Sequence, residues 1–413
     1  MKQLMIVLAS LFLLLNTVFT NALASTHQRI SHTSSILDEE RTIQIALPEN
    51  YHANPTATYP VMYLLDGDYN FKAVTGMLDM LANKGQLIPD VIVVGIADNG
   101  TSSYRNYMTP SFSDKQPDSA SKFADYLENE VKPYIQSHYR TANTHILVGQ
   151  SIGGLFVLNT LIENPARFNH YIAVSPSVWV GDNAIVKKAK SALNGNSFTT
   201  PISLYLSLGD ETRMGQYDFI NYLDLNPHAS LAWQFTHYPD ENHNSVGLIA
   251  IRNSLKHLFK GWHINERDLA TKSPETVVSH YKELQNQWQI KQAIPASVAH
   301  MLMRYHYRNN LVDKVPQFIE STVKALPQSS QVLVAKQASY VGHFDTPKNA
   351  LALLKGTEKA HAHSIEHLKA IAGVYEQLGE QQNAQTYYKK ALELGKKQQV
   401  AQWHLNILAA KVK

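Results

Sequence analysis

The chain has 413 residues, with 37 Lys and Arg against 34 Asp and Glu and no cysteine. That length allows two or three domains, and a net charge of +3 with histidines neutral carries no nucleic-acid signature. The lack of cysteine excludes disulfides, an N-terminal lipidated Cys and thiol-based catalysis.

Met1-Lys2 is followed by an apolar run from Leu4 to Leu15 and then by Asn21-Ala22-Leu23-Ala24-Ser25. A positive start, an apolar core and a small-x-small site predict a signal peptide over residues 1–24, cut after Ala24. The run is too short to span a bilayer and is broken by Asn16. No later stretch is apolar enough to span one, so we expect a bacterial periplasmic or secreted protein with no membrane anchor after cleavage.

In the mature chain, residues 41–47 alternate polar and apolar, which predicts a half-exposed edge strand. Val61–Leu65 and Val91–Ile96 read as buried strands. The spacing of Phe71, Val74, Met77, Leu78 and Leu81 predicts a helix, as does that of Phe123, Leu127, Val131, Tyr134 and Ile135 between Ala120 and Ser137. Then comes His145-Ile-Leu-Val-Gly-Gln-Ser-Ile-Gly-Gly-Leu155. A short apolar strand, Gly149-Gln150-Ser151-Ile152-Gly153 and a helical pattern after it form the layout of a nucleophile elbow. There the glycines permit a sharp turn, Ser151 stands clear, and the following helix offers N–H groups to an oxyanion. Strands follow at Tyr171–Val174, Ile202–Leu208 and Leu231–His237, with helical patterns between them and a last helix from about Asn244 to Phe259. Apolar strands alternating with amphipathic helices predict an α/β fold, a mostly parallel sheet with helices on both faces. Its chemistry belongs at the carboxyl ends of the strands.

Three strand ends carry the other candidates. Leu65-Asp66-Gly67-Asp68 can aim the Asp68 N–H into the site, as an oxyanion donor beside that of Ile152. Asp210 and Glu211 both qualify as the acid that follows the Ser in chain order. His243, in a polar loop at a strand end after that acid, is the candidate base. Asp210 also precedes a predicted helix (Glu211 to about Leu223), where it would serve as N-cap; Glu211 has no such structural duty.

Val61-Met-Tyr-Leu-Leu-Asp-Gly67, the elbow Gly149–Gly154, Ser175-Pro-Ser-Val-Trp179 and Glu241-Asn-His243-Asn-Ser-Val246 together resemble the putative-esterase branch of the α/β-hydrolases, over about Ser31 to Phe259. That branch includes esterase D, feruloyl esterases and mycolyltransferases. The Ser-Pro-Ser-x-Trp segment is most similar to its enterochelin and salmochelin esterases. The resemblance implies Ser151 as nucleophile, His243 as base, Glu211 as acid with Asp210 the alternative, and Arg105 and Trp179 as substrate contacts. Arg105–Pro110 departs from the pattern of these relatives by lacking an Asp near Tyr107. It implies a small-molecule ester substrate and no metal or organic cofactor.

After Trp262 the chain reads as successive helices. Ile365 to Lys396 resembles a tetratricopeptide helix pair, and Tyr340, Phe344 and Ala350 echo Tyr375, Gly379 and Ala384 about one repeat earlier. A weaker unit runs from Val298 to Leu326. His361, His363 and His367 read as a solvated face rather than a metal site. The expected division is a signal peptide (1–24), an α/β-hydrolase esterase domain (25–265) and an all-α tetratricopeptide-like domain (270–413), which either binds a protein partner or caps the hydrolase. The expected function is an exported serine hydrolase of carboxylic esters, and the resemblance to enterochelin and salmochelin esterases implies a siderophore-type ester. The alternative is a non-catalytic binding protein that uses the helical repeats, with the hydrolase fold as platform.

Overall fold

A computed structural model describes residues 27–412 apart from 101, 113–117, 194–197 and 199; the predicted signal peptide lies outside the described residues. Eight strands form one sheet: β1 (His27–Ser34), β2 (Glu39–Ala46), β3 (Tyr59–Leu64), β4 (Ile92–Ile96), β5 (Thr141–Gln150), β6 (His170–Val174), β7 (Ile202–Leu208) and β8 (Leu231–His237). Their spatial order is β1-β2-β4-β3-β5-β6-β7-β8. The β1–β2 and β2–β4 pairs are antiparallel and the other pairs are parallel. Along β3 and the residue after it the side chains alternate: Val61, Tyr63 and Leu65 enter the core on one face of the sheet, Met62 and Leu64 the core on the other. Burial on both faces is why the central strands are continuous apolar runs.

Around the sheet lie α1 (Gly67–Leu78), α2 (Ser102–Met108), α3 (Ser119–Tyr126), α4 (Lys132–His138), α5 (Ile152–Glu163), α6 (Val180–Ala192), α7 (Gln216–Leu225) and α8 (Val246–Leu258). The predicted helix 71–81 begins earlier, at Gly67. The predicted 120–137 helix is α3 and α4 joined through a π-type segment, Leu127–Val131.

The reading of 41–47 as an edge strand is corrected. The segment is internal, covered by β1, and most of it is buried. Its polar residues misled because each has an internal partner. Arg41, only 1% exposed, donates to the Ala97 carbonyl at 2.8 Å and its guanidinium lies 5.4 Å from the centre of the Tyr104 ring. Gln44 donates to Asp68 Oδ1 at 2.7 Å.

Nine helices follow among the described residues: α9 (Glu266–Ala270), α10 (Pro274–Trp288), α11 (Ala296–Arg308), α12 (Val315–Ala325), α13 (Ser330–Phe344), α14 (Pro347–Gly356), α15 (Ile365–Gln377), α16 (Gln381–Lys397) and α17 (Gln402–Val412). The earlier ones continue the core of the sheet. Met62, Val93, Ile146, the α8 residue Leu255 and Phe259 just beyond that helix share one apolar cluster with Trp262, Tyr281, Trp288, Ile294, Leu302 and Leu333. Trp288 stacks edge-on against Phe259 at 5.1 Å, and Thr144 donates to the Trp288 carbonyl at 2.5 Å. Gln292 brackets Asp90, accepting its N–H and donating to its carbonyl, each at 2.8 Å. A separate core begins at Val334 and runs through Ala350, Ala372, Ala384 and Leu408. His367 is wholly buried there, with Nε2 3.0 Å from the Leu354 carbonyl, so the solvated reading is corrected for that ring. Among the described residues, no helix is long and apolar enough to cross a membrane, and no group of three His, Asp or Glu is placed to hold a metal ion.

Candidate active site

Strand β5 ends at Gln150, and Ser151 occupies the N-cap of α5 with φ 57° and ψ −117°. A non-glycine residue held there costs on the order of 1–3 kcal/mol and persists only where its surroundings fix it. They do: the Ser151 N–H donates to the Val174 carbonyl at 2.9 Å, and the Ser151 carbonyl accepts from Leu155 at 3.0 Å and Ser177 at 2.9 Å. The elbow glycines are required by space. A Cβ on Gly149 would overlap the Gly153 carbonyl, and one on Gly154 would lie 3.0 Å from Pro176.

His243 and Glu211 come together across the loops that follow β8 and β7. His243 Nδ1 donates to Glu211 Oε1 at 2.6 Å. The Glu211 side chain is 14% exposed and the His243 side chain 37%. The loop bearing Glu211 folds back tightly, since a Cβ on Gly209 would stand 2.6 Å from both Glu211 Oε2 and the Glu241 carbonyl. The Asp210 N–H donates to that same carbonyl at 2.8 Å, which knits the two loops. Around His243, the Asn242 side chain accepts from the Asn244 and Ser245 N–H groups at 2.9 and 3.2 Å. Ser245 Oγ in turn accepts from the Asn242 N–H at 3.0 Å. This reciprocal turn fixes the His243 loop to the start of α8.

Asp210 is exposed. The expectation that it caps a helix is corrected: the helix starts five residues later than predicted, at Gln216, behind Gly215 at φ 81°. The two acids are therefore separated by geometry, since Glu211, not Asp210, is bonded to the imidazole.

Of the two proposed oxyanion donors, Ile152 opens α5 and Asp68 lies in the first turn of α1, where N–H groups have no helical partner. The α1 turn is entered through Asp66 in the left-handed region, φ 52°, and the Tyr69 and Asn70 N–H groups both close on the Asp66 carbonyl. The Asp68 carboxylate is occupied elsewhere, by Arg29 at 2.6 Å, Gln44 and the Asn99 N–H at 3.1 Å. The Asp66 carboxyl sits against the elbow helix, with Oδ2 3.1 Å from where a Gly153 Cβ would be. Burial, seconded by Asp98 and opposed by Arg105, pushes its pKa up to about 6.

Arg105 is exposed on α2 and its charge is felt at Asp66. Trp179 is 54% exposed, two residues beyond Ser177, with its N–H on the Met214 carbonyl at 3.0 Å. Tyr217, at the start of α7, is likewise exposed. Aromatic surface therefore lies close to the Ser177 and Glu211 side of the site.

Sequence reasoning missed three polar side chains that tie the site together. Ser175, at φ 38°, accepts the Gly209 N–H at 3.2 Å and donates to Glu211 Oε2 at 3.4 Å. Ser177 Oγ lies 3.3 Å from Ser151 Oγ. Gln150 Nε2 donates to the His243 carbonyl. In the sequence Ser175-Pro-Ser177 serves only as a marker of relatives, yet its two hydroxyls touch Glu211 and Ser151. Two serines two apart at the end of a predicted strand were the available signal.

The family model described as "Putative esterase" matches residues 34–246. The ferri-bacillibactin esterase BesA of Bacillus subtilis is 27% identical over 247 residues, covering 53% of this chain and 85% of its own. The crystal structure of an IroE-like serine hydrolase from Shewanella oneidensis aligns with a TM-score of 0.60 at 26% identity, over 72% of this chain and 99% of that one. An uncharacterised Capnocytophaga ochracea protein, 18% identical with a TM-score of 0.55, shares the fold over 93% of this chain, helical region included.

Proposed function

The chain belongs to the "Putative esterase" family, and from that premise we propose that it hydrolyses carboxylic esters through a Ser151–His243–Glu211 triad. The observation that carries the reading is the 2.6 Å bond between His243 Nδ1 and Glu211 Oε1, in a loop whose His243 carbonyl is reached by Gln150, the residue before the strained elbow Ser151. Glu211 holds the imidazole in the tautomer whose Nε2 accepts a proton. Ser151 Oγ turns from Ser177 toward His243, loses its proton to Nε2 and attacks the ester carbonyl. The oxyanion is held by the N–H groups of Ile152 and Asp68. His243 returns the proton to the leaving alcohol, and water, activated by the same imidazole, releases the acid.

For the substrate, we propose siderophore-type esters with an aromatic part. BesA and the IroE-like relative support this reading, as do the exposed Trp179 and Tyr217 and the cationic Arg105, whose charge is felt at Asp66. For the location, residues 1–24 support export to the periplasm or the medium. The helices from Glu266 to Phe344 act as a cap, because they complete the core of the sheet. The tetratricopeptide-like helices beyond them offer a surface for a protein partner.

The test is hydrolysis of a short-chain nitrophenyl ester and of a panel of siderophore esters by the purified protein. Activity on the panel that disappears in Ser151→Ala supports the reading. A protein that cleaves neither class, yet is folded, returns the chain to a binding role.

A further inference from the structure

The residue just before Ser151 makes a direct side-chain link between the strand that delivers the nucleophile and the loop that delivers the base. Gln150 Nε2 donates to the His243 carbonyl. The other end of its amide is fixed by a close approach: a Cβ placed on Gly247, in the first turn of α8, would lie 2.5 Å from Gln150 Oε1 and 3.4 Å from Gln150 Cδ. The amide is therefore wedged between the His243 carbonyl and the bare backbone of Gly247, which is buried.

Resting on the triad reading above, we propose that Gln150 and Gly247 form a latch that sets the distance between Ser151 Oγ and His243 Nε2, with Gln150 a positioning residue. The other constraints on His243 do not do this. Glu211 holds Nδ1 from the β7 side, and Asn242 and Ser245 hold the loop to α8. None of them refers the imidazole to the elbow. Gln150 does, because it is covalently adjacent to the nucleophile and hydrogen-bonded to the backbone of the base. Ser151 Oγ is hydrogen-bonded to Ser177 Oγ in this structure, so the hydroxyl must change partner before reaction. Its transfer to Nε2 depends on where the latch leaves the His243 loop. A misplacement of about 1 Å between reacting groups can cost on the order of 100-fold in rate.

The identity of residue 247 follows from the same geometry. Gly247 is helical, where Ala stabilises relative to Gly by up to about 1 kcal/mol. With Ala in its place, however, the Cβ would displace the Gln150 amide. The latch thus explains a glycine that helix propensity alone disfavours.

The experiment measures kcat and KM for a nitrophenyl ester, together with the melting temperature, in six full-length proteins: wild type, Gln150→Met, Gln150→Ala, Gly247→Ala, the Gln150→Ala/Gly247→Ala double variant and Ser151→Ala. Gln150→Met keeps the volume and removes the donor, so the fold is spared. The expected result is a 10- to 100-fold fall in kcat with KM within about threefold for Gln150→Met, Gln150→Ala and Gly247→Ala, with Gly247→Ala melting no lower than wild type. The double variant should be no worse than Gln150→Ala, since the added Cβ enters space the truncation has emptied; contacting residues couple in this way. A merely structural hydrogen bond would move the melting temperature and leave kcat alone. Near-wild-type kcat in Gln150→Met, or losses that multiply in the double variant, would overturn the latch while leaving the triad standing. Hydrolysis that survives Ser151→Ala would overturn the triad reading and the latch with it.

Discussion

Replacing Glu211 by Gln separates two contributions that the carboxylate makes to His243. Glu211 Oε1 accepts from Nδ1 at 2.6 Å, and Oε2 accepts from Ser175 Oγ at 3.4 Å. A Gln amide can orient two ways. With its oxygen toward Nδ1 and its NH2 toward Ser175, whose hydroxyl can accept, the imidazole keeps the tautomer with Nε2 free. Only the charge opposite the developing imidazolium is then lost. The difference between a charge-assisted and a neutral hydrogen bond is about 1–2 kcal/mol, roughly a 10-fold loss in turnover. With NH2 toward Nδ1 the tautomer is wrong, and losses approach roughly 10⁴-fold. Because Ser175 can accept a donor, we expect about 10²-fold, near the lower end. Ser175→Ala in the Glu211→Gln background should deepen the loss by removing the reason for the favourable orientation. Asp210→Asn, at an exposed carboxylate bonded only through its backbone N–H, should change turnover less than about threefold. The assay is kcat for a nitrophenyl ester at one pH for all variants. If Asp210→Asn costs more than Glu211→Gln, the acid assignment is wrong.

Ser151→Ala should abolish hydrolysis and fluorophosphonate labelling while leaving the melting temperature within a few degrees, since the hydroxyl contributes little packing; residual activity above about a tenth would count against the elbow. Ending the chain after Glu266 strips Tyr281 and Trp288 from Phe259 and Trp262, exposing two large buried side chains at about 1.5–3 kcal/mol each, so that fragment should be insoluble. Ending it after Asp345 removes mainly the separate core that starts at Val334 and should leave a soluble enzyme; soluble expression of both would show that the seam does not stabilise the sheet. Asp66, with its pKa raised to about 6, binds its proton more tightly folded than unfolded, so it lowers stability as pH rises from about 4 to 6. Asp66→Asn should therefore gain stability over wild type across that window, by at most roughly 3 kcal/mol. Urea unfolding at pH 4, 5, 6 and 7 reads this directly, and a pH-independent difference would refute it.

The parts of the molecule that were legible in the sequence are those where one physical effect dominates. Continuous apolar runs revealed β3 to β7, because strands buried on both faces need nothing else. Gly149-Gln-Ser-Ile-Gly153 revealed the elbow, because its turn is too tight for side chains at the flanking positions. What was hidden depends on pairing across distance. β2 looked like an edge because Arg41 and Gln44 are polar, yet their partners Ala97 and Asp68 lie far along the chain. The start of α7 was placed too early, since the loop from Gly209 to Gly215 is ordered by contacts with Glu241, Ser175 and Trp179 rather than by local capping. The packing of Trp288 on Phe259 was not legible either, because a change of composition near Trp262 says nothing about which side chains meet across it.

The site itself shows why pairing was decisive. β3, β5 and β6 each lead, within two residues of their ends, to a non-glycine residue in the left-handed region: Asp66 at 52°, Ser151 at 57° and Ser175 at 38°. At on the order of 1–3 kcal/mol each, three such residues would weigh heavily on a stability of about 5–15 kcal/mol unless each made contacts that an unstrained turn could not. Each does. Asp66 accepts the Tyr69 and Asn70 N–H groups and opens α1 behind it, Ser151 lies between Val174 and Ser177, and Ser175 joins Gly209 to Glu211. The strain is thus distributed over the strand ends that meet where the proposed acid, base and nucleophile lie. Relaxing any one of these turns would separate groups that no local sequence signal brings together.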